Sequence, residues 1–160
     1  MRIYPYDAMS ARNYAEKWAT TRNPEYYNFD KLGGDCTNFV SQCLFAGTSI
    51  MNYSKNLGWY YNSLNDRAPA WTGVEFLYKF LTKNDDLSVF GERTELSKIS
   101  IGDVIFMVRN NTEIYHSVIV SRIINQEIYV CSHTFDALNR PLFSYYYQSI
   151  IPVRILGYRK

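Results

Sequence analysis

Three observations predict an α+β fold, with N-terminal helices packed on a C-terminal antiparallel sheet. Before residue 84, apolar residues recur at helical spacing in three segments. After Asn84-Asp85-Asp86 the pattern changes to short apolar runs separated by polar turn residues, as strands show. A chain of 160 residues that is 47% hydrophobic suits one core, so residues 1–160 are read as a single domain.

The first helix is predicted over residues 7–19. Ala8, Ala11, Tyr14, Ala15 and Trp18 share a face, and Asp7 is placed to cap the first turn. Asn23-Pro24 breaks it. A second helix is predicted over 36–46 from Phe39, Val40, Cys43 and Leu44, with Gly33-Gly34 before it and Gly47 as its stop. Residues 47–71 have no periodicity, and loops of that length are often functional. They read as a cleft wall with Trp59 and Trp71 as substrate contacts, or as a loop those two rings pin to the core. Thr72-Gly73-Val74-Glu75 fits a capping box for a third helix to Lys83. Residues 87–101 read as a connector. Strands follow at 104–108, 115–124 and 127–134, the last two joined at Asn125-Gln126. A final strand is read at 151–156, where Pro152 points to an edge position.

Composition narrows the function. Seventeen basic and fifteen acidic residues are scattered without a basic block, which sets nucleic-acid binding aside. The longest apolar runs are about five residues, far short of a membrane span. No signal-like stretch opens the chain, so as written it reads as cytoplasmic, or as secreted if it is a processed fragment. Three cysteines without close pairing suggest free thiols. Fifteen tyrosines suit a cleft for a polar chain, and equally a core rim.

Cys36 is the candidate nucleophile. A thiol in the first turn of a helix faces unpaired N–H groups and the positive end of the helix dipole, conditions that favour thiolate. The chain's two histidines, His116 and His133, fall on adjacent predicted strands. A two-residue turn at 125–126 pairs residue 124 with 127. Both histidines then share one face, roughly 7–8 Å apart; a bulge would separate them. His116 is read as the base and His133 as the group that orients it, with Asp136 as the alternative. The Cys36 N–H and the loop at Tyr27 are candidates for the oxyanion hole. Zinc held by Cys36, His116 and His133 is the competing chemistry, although no two ligands are close in sequence. Cys43 and Cys131 read as core.

The segments Asp35-Cys36-Thr37-Asn38-Phe39-Val40-Ser41-Gln42, Gly58-Trp59-Tyr60, Trp71-Thr72-Gly73, Gly102-Asp103-Val104-Ile105-Phe106, His116-Ser117-Val118-Ile119-Val120 and His133-Thr134 together resemble the bacterial putative amidase domain family. More distantly, they are similar to the NlpC-like and CHAP-like cysteine hydrolases of the papain-like superfamily. The resemblance implies a papain-like core and a Cys36–His116 pair with His133 as the third member. It also implies cleavage of an amide or peptide bond, with a cell-wall peptide as one substrate, and no cofactor. A transferase using the same pair and a non-catalytic glycan- or peptide-binding module are the alternatives.

Overall fold

The computed structural model describes residues 1–160 and has the expected α+β architecture. Four α-helices lie between residues 8 and 83: α1 (Ala8–Trp18), α2 (Cys36–Thr48), the short α3 (Pro69–Thr72) and α4 (Val74–Lys83). The main sheet is built from β1 (Ile3–Tyr4), β4 (Ser88–Arg93), β5 (Val104–Arg109), β6 (Glu113–Ile124), β7 (Glu127–Ser132), β8 (Ala137–Pro141) and β9 (Ser149–Arg159). All of its pairings are antiparallel. A separate hairpin, β2 (Tyr61–Ser63) with β3 (Asp66–Arg67), stands between α2 and α3. No helix is long and apolar enough to cross a membrane.

Asp7 caps α1, accepting a hydrogen bond from the Ser10 N–H at 3.0 Å. Alanines 11, 15 and 19 then let α1 approach α2 closely around Phe39 and Cys43. The amphipathic α4 buries Leu77, Phe80 and Leu81 against Trp59, Trp71, Phe106 and Val153. On the opposite face of the sheet, Ile99 before β5 and Leu142 after β8 pack on Ile105, Met107, Val118 and Val130.

Several local expectations are corrected. Gly47 lies inside α2, which ends one residue later with Ser49 in the left-handed conformation. Its role is close approach: a Cβ there would lie 2.5 Å from the Tyr6 ring and 2.8 Å from the Asp7 carbonyl oxygen. The cap of α4 is Gly73, because the Thr72 hydroxyl is occupied by Arg67. The connector at 87–101 contains β4. The third predicted strand of the sheet ends at Ser132, not 134. Pro152 is not on an edge: β9 runs inside the sheet between β5 and β4. Its carbonyl accepts from the Thr94 N–H at 3.0 Å, just past the end of β4.

Gly47→Ala should lower stability by roughly 1–3 kcal/mol, since the added methyl meets backbone as well as ring. The urea midpoint checks this, with the slope of the transition unchanged.

Candidate active site

The N-terminus of α2 is fixed by the residue before Cys36. The Asp35 carboxylate is fully buried. It accepts hydrogen bonds from the Phe29 N–H at 2.8 Å, the Asn38 side-chain amide at 2.9 Å and His133 Nδ1 at 2.5 Å. The Arg22 guanidinium stands 3.5 Å away. Burial alone would raise the carboxyl's pKa. The bonds from His133, Asn38 and Phe29 outweigh it and hold the group below its ordinary value. The Asp35 N–H donates to the Thr134 hydroxyl at 2.8 Å. Loop, helix and sheet are therefore tied at one residue, and Cys36 follows directly from it. The N–H groups of Cys36, Thr37 and Asn38 have no acceptor in the protein, as expected for a first helical turn.

Cys36 is half-buried, whereas Cys43 and Cys131 are buried. Its sulfur lies 3.7 Å from the Thr37 hydroxyl, which in turn lies 3.2 Å from that of Ser117 on β6. Cys36 and His116 line the same cavity of about 510 Å³. Met107, Tyr115, Arg140 and Tyr145 form its far side, and Gly33, Gly34, Thr134 and Phe135 the side next to α2. The last β6–β7 pair is Ile119 with Cys131, so at His116 β6 is paired with β5 on one side and has no strand on the other. That gap is where the cavity lies. Burial first, and then the positive charge of Arg140, push the His116 pKa down to about 4. The imidazole is thus neutral at pH 7 and can accept a proton.

The two histidines do not share a face. The β6–β7 register shifts between Val120 and Arg122, leaving Ser121 as a bulged residue. His133 consequently turns toward α2, its ring stacked on Phe39 at 4.0 Å. Nδ1 is held by Asp35, and Nε2 lies 2.7 Å from the Trp18 carbonyl oxygen. Neither nitrogen is left to orient His116. Asp136 is also committed elsewhere, to Arg22 at 2.8 Å. With His133 fully engaged, the zinc reading loses its third ligand, and no three His, Cys, Asp or Glu side chains gather as a metal site.

The aromatic expectations change as well. Trp59 and Trp71 are fully buried and pack on each other at 4.8 Å, so they do not touch a substrate. Their indole N–H groups bond Ser41 and Asn38 and clamp residues 52–71 onto α2. The Tyr27 N–H is bonded to the Tyr61 hydroxyl and is not a free oxyanion donor. Sequence reading missed Arg140, Tyr145 and Tyr146. They belong to β8 and the following segment, where no periodicity marks a wall of the cavity.

The "Putative amidase domain" family matches residues 5–156. The chain belongs to this family. Two Bacillus subtilis (strain 168) proteins are similar to it. "Uncharacterized protein YjcM" is 31% identical over 145 residues, 85% of this chain and 32% of that protein. "Uncharacterized protein YhbB" is 36% identical over 85 residues, 52% of this chain and 26% of that protein. The chain thus spans a third or less of the length of these relatives. No solved structure matches it.

Asp35→Ala should cost about 3–5 kcal/mol at pH 7, because it leaves His133, Asn38 and the Phe29 N–H facing a void. The Asp35 pKa is lowered by folding, so its stabilising contribution is present above the ordinary carboxylate value of 3.8. That contribution is lost as pH falls through the lowered value. Urea unfolding from pH 6 to pH 2.5 should therefore show a flatter acid limb in the variant than in the wild type.

Proposed function

We propose that this amidase-family domain, residues 1–160, is a thiol-dependent hydrolase that cleaves an amide or peptide bond through a Cys36 thioester. The observation that carries the reading is that Cys36, at an open helix N-terminus, and His116 line one cavity. A cysteine in the first turn of a helix that packs on an antiparallel sheet, with a strand histidine lining the same cavity, also supports a place in the papain-like superfamily. A cell-wall peptide is one candidate within this substrate class.

His116 takes the Cys36 proton as sulfur attacks the carbonyl carbon. The resulting imidazolium lies beside the negative charge of the reacting centre, an attraction that offsets the burial opposing its protonation. The C–N bond then breaks, and His116 returns the proton to the leaving amine. Water, activated by the same imidazole, hydrolyses the thioester and restores the thiol. The N–H of Cys36 is a donor for the oxyanion. In this reading His133 is a positioning residue: it holds Asp35, and through Asp35 the start of α2. The group on the His116 face nearest to an orienter is the Ser132–Tyr145 hydroxyl pair, 2.9 Å apart. The Tyr145 ring lies 6.0 Å from the imidazole.

Screening peptidoglycan peptides, plain peptides and glutamine-type amides for amine release tests the reading. Cys36→Ser and His116→Ala should each lose at least about a hundredfold in kcat/KM. Circular dichroism should show the fold intact in both. Turnover by Cys36→Ser equal to wild type would sink the proposal. Because His116 must be unprotonated to act, kcat/KM should fall in acid only as pH approaches about 4, well below the 6.5 of free imidazole. Arg140→Gln should move that acid limb upward, since it removes a charge that opposes the imidazolium.

A further inference from the structure

The cavity is electrically one-sided. Arg109 and Arg140 line it, and no Asp or Glu does. Arg109 is neutralised by Glu113, which accepts two hydrogen bonds from it at 3.1 Å. Arg140 has no carboxylate partner. Its Nε bonds the Ser144 hydroxyl at 2.8 Å, and its Nη2 bonds the Ser144 carbonyl at 3.0 Å. The guanidinium carbon lies 3.8 Å from the centre of the Tyr145 ring. Two bonds and a stacked ring hold the fork rigid on the wall that His116 shares, and Nη1 is left without a protein partner. A fixed guanidinium with a free donor in a partly enclosed site is what recognises a carboxylate. Its wall also carries Phe135 and Tyr146, 88% and 98% exposed. These offer apolar area in the same cavity as the charged group.

We propose that the substrate carries a carboxylate near the scissile amide, and that Arg140 is the residue that binds it. This rests on the hydrolase reading for the word substrate. The anion preference itself belongs to the cavity, and can be measured at Cys36 without turnover. The influence of Arg140 on His116 agrees with the two lying close together.

The test compares alkylation of Cys36 by iodoacetate and by iodoacetamide. In each case sulfur forms a bond to carbon, the C–I bond breaks and iodide leaves; only one reagent bears a carboxylate. Cys43 and Cys131 are buried, and mass spectrometry of the modified peptide confirms the site. With glutathione as the reference ratio, iodoacetate should be favoured by roughly threefold or more at low salt, and less at high salt. Arg140→Gln should bring the ratio to that of glutathione, Arg140→Lys should keep most of the preference, and Arg109→Gln should leave it in place. A wild-type ratio equal to glutathione's would overturn the proposal, as would a preference that survives Arg140→Gln or vanishes in Arg109→Gln. Failure of the hydrolase reading looks different: both reagents would react at unchanged rates in His116→Ala, whatever their ratio.

Discussion

The buried Asp35 carboxylate holds three separate parts of the chain together at the start of α2. A buried charge is costly unless its lone pairs are occupied. Here the donors come from three separate parts of the chain: the 29–35 loop, α2 itself, and the segment just after β7. Each donor therefore fixes a part of the fold, and the nucleophile candidate occupies the next position in sequence. The one-residue separation means that a displacement of Asp35 is a displacement of Cys36.

The sheet makes room for the cavity by stopping. β7 ends at Ser132 while β6 extends back to Glu113, so the His116 stretch of β6 lacks a neighbour on that side. Thr134 and Phe135 leave the sheet there and form part of the wall. The bulge at Ser121 determines which histidine faces that opening. It sends His133 to the helix side, where its two nitrogens join sheet, α2 and the end of α1. His116 stays on the face lined by Met107 and Tyr145. The chain thus uses one histidine in the framework and leaves the other available at the cavity.

Charge in the cavity has two consequences that pull in opposite directions. Arg140 adds to burial in keeping His116 unprotonated, and so keeps a proton acceptor ready. It also leaves an uncompensated positive charge that a ligand carboxylate would neutralise. A bound carboxylate would relax the first effect by satisfying the second, so the basicity of His116 would rise when the site fills. That coupling follows from proximity, and needs no conformational change.

Local signals in the sequence marked α1, α2 and α4, the antiparallel strand-rich half, the cysteine at a helix start, and His116 on a strand with His133 just past the next one. These signals are period, glycines before a helix, and apolar runs between turn residues. Tertiary structure alone decided the roles of His133, Asp136, Trp59, Trp71 and Tyr27. The register of a hairpin depends on a bulge, and no residue of the Val120-Ser121-Arg122 stretch announces one. Whether an indole contacts ligand or core depends on what packs over it, here α2 and α4. Arg140 came from a segment without periodicity, and its importance lies in the absence of an acid beside it. An absence of that kind exists only in three dimensions, because the nearest carboxylate in space bears no fixed relation to the nearest in sequence.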